Sequence, residues 1–286
     1  MANRLKVAVQ KSGRLLDDSL KLLKECGISI DNGRNQLKAS ARNFPIDVLY
    51  LRNGDIPQYV QDGVADIGII GQNTVIEKEK NIKEALALGF SKCRLSIATP
   101  RQTDYSGPQW LEGKRIATSY PNSLRQYLSG HGITAEIHEI SGSVEIAPNI
   151  GLADAICDLV STGSTLFKNN LVEQEVILRS EASIVQNEDL APELQQILDK
   201  LVFRIQSVLT ARKNKYLLMN ARDEAVQDII NVLPGMKSPT VMPLAQTGWS
   251  SIHTVISEDR FWDIIDSLKD KGAEGILIVP IQKMIL

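Results

Sequence analysis

Between Glu145 and Leu166 the chain carries two carboxylates, Asp154 and Asp158, on a strand-like segment that runs into Ser161-Thr162-Gly163-Ser164-Thr165. Ser161, Thr162, Ser164 and Thr165 can each donate an O–H, and Gly163 lets the backbone turn and approach a ligand without Cβ strain. Successive N–H groups of such a turn form an anion nest, and a helix starting at Thr165 adds its positive end. That chemistry suits a phosphate monoester. The two aspartates then read as acceptors for ribose hydroxyls or as holders of a hydrated Mg2+ on a pyrophosphate. A helix-capping turn would explain the hydroxyls alone. The upstream acids, with Glu145 ahead of them, favour the phosphate reading.

A second candidate is Gln10-Lys11-Ser12-Gly13-Arg14, at the carboxyl end of the first strand. Ligands of open α/β sheets bind outside those ends. Lys11 and Arg14 supply positive charge, and Arg14 can fork onto two phosphate oxygens. A solvated basic turn is the plainer explanation. Asp66-Ile67-Gly68-Ile69-Ile70-Gly71 leaves room at its glycines for a nucleotide ring or for a neighbouring backbone. Arg115 to Tyr120 offers hydroxyls and a ring that can stack on a base, or simply a helix N-cap at Ser119. Neither a G-x-G-x-x-G fingerprint nor a G-x-x-x-x-G-K-[ST] loop occurs, and His131, His138 and His253 are too scattered for a zinc site.

Short strands alternating with helices position these residues. Strands are expected at Leu5–Val9, Ile46–Leu51, Asp66–Gly71, Cys93–Thr99, Gly113–Thr118, Thr134–Glu139 and Asp154–Val160, and one long strand at Val172–Val185. Helices are expected at Leu15–Glu25, Ile56–Asp62, Asn122–Ser129 and Pro192–Arg212. This alternation implies mostly parallel sheets covered on both faces. After Arg212-Lys213-Asn214 the order becomes β-α-β-β-α-β, the ferredoxin-like arrangement.

The 286 residues suffice for two or three compact units. A net charge of -2 gives no field that would draw the chain to nucleic acid or an anionic membrane. Cys26, Cys93 and Cys157 read as reduced thiols. The start lacks a signal-peptide core and no apolar run reaches the ~20 residues of a membrane span, so the cytoplasm is expected.

The segment Glu145–Leu166 resembles the signature of the ATP phosphoribosyltransferase family in its long form, the first enzyme of histidine biosynthesis. Lys-Ser-Gly-Arg-Leu at 11–15, Asp-Ile-Gly-Ile-Ile-Gly at 66–71 and Arg-Ile-Ala-Thr-Ser-Tyr-Pro at 115–121 resemble it too. The resemblance implies a two-lobed catalytic unit like a type II periplasmic binding protein. Lobe I would comprise 1–92 and 180–213, lobe II 93–179, and a ferredoxin-like regulatory domain 214–286. It implies joining of ATP to 5-phosphoribosyl-1-pyrophosphate (PRPP), with Mg2+ held mainly by substrate and water, inhibition by L-histidine, and a hexamer exchanging with dimers. Lys11, Arg14 and Glu145 would serve catalysis. Asp154, Asp158, Ser161, Thr162, Gly163, Ser164 and Thr165 would bind PRPP. Lys11, Ser12, Gly13, Arg14, Asp66, Gly68, Gly71, Arg115 and Tyr120 would bind ATP. Asn220, Leu244, Ala245 and Thr254 sit where a small amino acid could bind. A non-catalytic two-lobed binding protein, or transfer to another base, also fits the residues.

Overall fold

The structure is a computed structural model that describes residues 3–30, 37–233 and 238–286. Its strands are β1 Leu5–Gln10, β2 Lys38–Ser40, β3 Ile46–Leu51, β4 Ile67–Gly71, β5 Ile82–Ala87, β6 Cys93–Pro100, β7 Arg115–Thr118, β8 Glu136–Glu139, β9 Ala155–Val160, β10 Leu171–Ser180, β11 Ala182–Asn187, β12 Asn214–Arg222, β13 Thr240–Pro243, β14 Trp249–Ser257 and β15 Glu274–Pro280. The α-helices are α1 Arg14–Glu25, α2 Ile56–Gln61, α3 Gln72–Lys78, α4 Pro121–Gly130, α5 Ser164–Lys168, α6 Pro192–Arg212, α7 Val226–Val232 and α8 Glu258–Asp270.

The chain divides into two compact units, residues 1–199 and 200–286. The first holds two sheets. Lobe I has the order β2-β3-β1-β4-β11-β5, and lobe II the order β10-β6-β9-β7-β8. β1 lies parallel between β3 and β4 with Leu5, Val7, Ala8 and Val9 all buried, as a strand covered on both faces must be. In lobe II, β7 runs parallel to β8 and β9, while β6 pairs antiparallel with β9 and β10. Helices open at the carboxyl ends of β1, β4, β7 and β9, so those four ends face the cleft between the lobes.

The segment expected to be one long strand at Val172–Val185 is two strands in different sheets. β10 pairs with β6 in lobe II, Glu181 interrupts, and β11 pairs with β4 and β5 in lobe I. The break is where the chain returns between lobes. The sequence patterns also passed over β2, β5 and α3.

The second unit contains the carboxyl half of α6 and a four-stranded antiparallel sheet in the order β13-β14-β12-β15. With α7 and α8 this is the ferredoxin-like arrangement. Leu217, Met219, Ala221, Ile252, Ile256, Phe261 and Leu268 form its core. The unit begins inside α6 rather than at the Arg212-Lys213-Asn214 switch. That half of the helix is tied to the end of the chain, where the Met284 N–H donates to the Ser207 carbonyl at 2.9 Å.

Candidate functional site

β9 ends at Val160 and the chain turns through Ser161, Thr162 and Gly163. Gly163 adopts φ 80°, ψ 0°, the left-handed conformation that glycine reaches without strain. α5 opens at Ser164, one residue earlier than expected, and the Phe167 N–H returns to the Gly163 carbonyl at 3.0 Å. The Ser164 N–H and the Thr162 hydroxyl oxygen stand 3.4 Å apart. Glu145 and Asp158 join residues 159–166 around a cavity of about 190 Å3. Behind the loop, Arg94 donates to the Ser161 carbonyl at 3.1 Å and forks onto the Glu173 carboxylate. The Ser96 hydroxyl also donates to Glu173, at 2.7 Å. Arg94 first, and Ser96 less, hold the Glu173 carboxyl below its ordinary range against the effect of burial.

Lys11, Ser12, Gly13 and Arg14 are exposed at the carboxyl end of β1. Gly13, at φ 91°, makes the turn into α1. From that turn Arg14 reaches across the cleft, its Nη2 3.4 Å from the Ser161 hydroxyl oxygen. Asp158 lies deeper. Burial raises its carboxyl and the Glu145 charge adds to the rise, while the Leu159 N–H at 2.8 Å opposes it. Tyr120 lies near Asp158. Burial first, then the Asp158 charge, push its hydroxyl up, and the Asn73 side chain pulls the other way. Asn73 in turn is fixed to Ser180, where the chain leaves lobe II: its N–H donates to the Ser180 hydroxyl at 3.0 Å, and that hydroxyl donates to Asn73 Oδ1 at 2.9 Å.

Four of the sequence candidates belong to the scaffold at the amino ends of strands or under helices. Asp154 does not stand beside Asp158 at the loop. It precedes β9 and is paired with Arg115, with Arg115 Nη2 to Asp154 Oδ1 at 2.9 Å and the Arg115 N–H to Oδ2 also at 2.9 Å. Arg115 therefore neutralises Asp154 at the far end of the sheet and is not in the cleft. Asp66 is buried before β4 and accepts the Lys6 N–H at 2.6 Å. A Cβ at Gly68 would lie 2.6 Å from Ile56 Cγ2, so this glycine lets α2 lie close on β4. Gly71 is at the cleft, where a Cβ would collide with Asn73 Oδ1. Ser119 does not cap α4; its hydroxyl donates to the Ile140 carbonyl. Arg94, Asn73, Glu77, Glu173 and Ser180 shape the site and carried no local sequence signal, because each acts on a partner far along the chain.

Among the described residues no group of three or more His, Cys, Asp or Glu side chains could hold a metal ion, and no helix is long and apolar enough to cross a membrane.

The family model "ATP phosphoribosyltransferase" matches residues 52–207, and the model "HisG, C-terminal domain" matches 211–283. ATP phosphoribosyltransferase of Cytophaga hutchinsonii is 56% identical over 285 residues, covering 100% of both chains. The chain belongs to the ATP phosphoribosyltransferase family. It is the long form, with the additional C-terminal domain, and thereby a pentosyltransferase of histidine biosynthesis, which sets aside a non-catalytic binding protein. The same-named protein of Phocaeicola vulgatus is 54% identical over 282 residues, 99% of this chain and all of that one. Among solved structures, a Thermotoga maritima "ATP phosphoribosyl transferase (HisG:HisZ) complex" matches with TM-score 0.63 at 30% identity, over 72% of this chain and 98% of that chain. A substrate binding protein of an amino acid ABC transporter matches with TM-score 0.50 at 11% identity, over 73% of this chain and 94% of that one. This last likeness identifies the two-lobed periplasmic-binding-protein-like fold.

In the C-terminal domain of this ATP phosphoribosyltransferase family member, the four residues expected around a small amino acid are not brought together. Thr254 pairs with Leu217, whose side chain belongs to the core under the helices, whereas Asn220 lies on the opposite face of β12. Leu244 and Ala245 follow β13. Of the four, Thr254 lines the cavity of about 500 Å3 in this unit, with Tyr216, Thr240, His253, Val255 and the last residues of the chain.

Proposed function

We propose that this enzyme joins N1 of the adenine of ATP to C1 of PRPP with release of pyrophosphate. The observation that carries the reading is the hydroxyl-rich loop around Gly163, closed by Glu145 and Asp158 and faced by Arg14 from the other lobe. The 5-phosphate of PRPP lies in the Ser161–Thr165 turn, held by hydroxyls and turn N–H groups. Asp158 accepts from the ribose hydroxyls. The adenine N1 lone pair attacks C1, the C1–O bond to pyrophosphate breaks with inversion, and pyrophosphate leaves with the bonding pair. The adenine then gives up a proton from its 6-amino edge, which Glu145 accepts. Lys11 and Arg14 stabilise the charge gathered in the cleft. Positioning of two anionic substrates supplies much of the rate.

Mg2+ fits this site beside Asp158, whose burial and repulsion by the Glu145 charge a cation would relieve. Asp154, neutralised by Arg115, is not among its holders. Bound mainly through substrate oxygens and water, the ion would neutralise the departing pyrophosphate. L-histidine bound in the C-terminal domain inhibits, through higher affinity for an inactive arrangement. The working assembly is a hexamer in exchange with dimers, in the cytoplasm.

The test is to incubate the protein with ATP, PRPP, Mg2+ and pyrophosphatase and to follow nucleotides by chromatography, with and without histidine. A phosphoribosylated ATP suppressed by histidine supports the whole reading. Product indifferent to histidine removes the regulatory half, and absence of product removes the catalytic half.

A further inference from the structure

α4 opens the lobe II side of the cleft, and its own sequence does not cap it. Tyr120 precedes it without a capping side chain, and Pro121 is its first residue. The two hydroxyls just ahead of Tyr120 do not reach the first-turn N–H groups: Thr118 donates to the Cys157 carbonyl at 2.7 Å and accepts the Tyr120 N–H at 2.8 Å, and Ser119 donates to the Ile140 carbonyl. The first-turn N–H groups of a helix need acceptors, and its positive end favours a carboxylate. Both are supplied from lobe I. Glu77 of α3, 6% exposed, accepts the Asn122 N–H at 3.0 Å, the Ser123 N–H at 2.9 Å and the Ser123 hydroxyl at 2.7 Å. The Asn122 side chain completes the joint by donating to the Glu77 carbonyl at 2.9 Å.

We propose that Glu77 is a positioning residue of the transfer reaction: by capping α4 across the cleft it holds the lobes at the separation in which Arg14 meets the Ser161–Thr165 loop. The two lobes are joined by two chain crossings, at residues 88–92 and at Glu181. A capping carboxylate is directional and short-ranged, so it sets a distance and an angle between the lobes at a point away from the two crossings. Tyr120, next to the capped turn, interacts with Asn73 and Asp158, which places the joint one residue from a side chain that meets the carboxylate lining the cavity. Glu77 touches neither substrate in this account. The inference rests on the catalytic reading above for its kinetic part and on the geometry alone for the rest.

Two measurements test it. The first needs no substrate. Cys93 lies at the crossing, half-buried beside Ser180 and within the field of Arg14, whereas Cys26 and Cys157 are buried. Glu77→Gln keeps the side-chain shape but turns an acceptor into a donor facing N–H groups. Iodoacetamide should then alkylate Cys93 severalfold faster than in the wild type, and an unchanged rate overturns the latch whatever the enzyme's substrates are. The second is a double-mutant cycle. Glu77→Gln should lower kcat about tenfold or more with PRPP affinity within about twofold, and should have little further effect on an Arg14→Ala background. Independent, multiplying losses overturn the positioning role. Glu77→Asp should recover part of both readouts. Should Glu77→Gln fail to fold, Asn122→Ala, which removes one bond of the joint, gives the same two readouts in smaller measure.

Discussion

The guanidinium of Arg14 and the hydroxyl of Ser161, 147 positions apart, approach to 3.4 Å and so bring the first turn of lobe I to the anion loop of lobe II. On the proposed reading of that loop as the phosphate site, a fork of N–H donors aimed at it stabilises charge that gathers there during transfer. Arg14→Ala should therefore lower kcat by about one hundredfold, the loss seen when one preorganised donor is removed. The side chain is exposed, so the melting temperature should stay close to that of the wild type. Arg14→Lys should restore only part of the rate, because an ammonium lacks the planar fork. Steady-state kinetics with thermal melts check both halves, and full activity in Arg14→Ala would take this residue out of the mechanism.

Gly163 separates backbone strain from steric conflict. A Cβ there meets nothing within 4 Å, yet φ is +80°. Gly163→Ala therefore acts through the left-handed conformation alone, at a penalty of roughly 1–2 kcal/mol. If the loop relaxes, the nest of N–H groups opens. The KM for PRPP should rise about fivefold to thirtyfold while that for ATP stays level. Initial rates with each substrate varied in turn give the comparison; equal rises in both would mean the loop does not act on PRPP specifically.

Asp154 and Asp158 differ by four positions and, along an extended strand, by roughly 13 Å. Asp158 lines the cavity, and Asp154 pairs with Arg115 at the other end of β9. Asp158→Asn should depress kcat/KM by about an order of magnitude or more. Asp154→Asn should leave kcat/KM within about twofold and show itself as a modest loss of thermal stability. Parallel assays of the two variants decide it, and a large catalytic loss in Asp154→Asn would return that residue to the site.

That pair also marks what could be read in advance. The Gly163 turn, the basic turn at Lys11–Arg14 and the alternation of strands and helices are local patterns, and all are present in the fold. Asp154 and Asp158 look like one cluster because four positions are close in sequence, whereas a strand carries them apart. The return to lobe I near residue 180 follows from the family resemblance, whereas the break of Val172–Val185 into two strands at Glu181 does not show in the sequence; nothing in periodicity says that the two halves join different sheets. The joint of Glu77 with Asn122 spans 45 positions, and its signal is negative: a helix whose own cap position holds a tyrosine. A missing cap says that an acceptor comes from elsewhere and leaves open from where.

The last prediction concerns acid stability. Asp47, on β3, is buried, which alone would raise its carboxyl, but Lys38 at 2.7 Å, Arg4 at 2.7 Å and Ser40 at 2.8 Å prevail and lower it to about 2. In the unfolded chain the same group titrates near the model-peptide value, about 3.9. Between those pH values the unfolded chain binds the extra proton, so stability rises with pH across this window. The contribution is complete at neutral pH and is lost as pH falls through the carboxylate range toward 2. Asp66 and Asp158, raised mainly by burial, act in the opposite sense and lose stability as pH rises, so the net acid limb does not isolate Asp47. The difference between the wild type and Asp47→Asn does. Denaturation midpoints measured at pH 3, 4, 5 and 7 should show the variant destabilised at pH 7, with the gap narrowing toward pH 3. A gap independent of pH would mean that Asp47 acts through packing rather than through its charge.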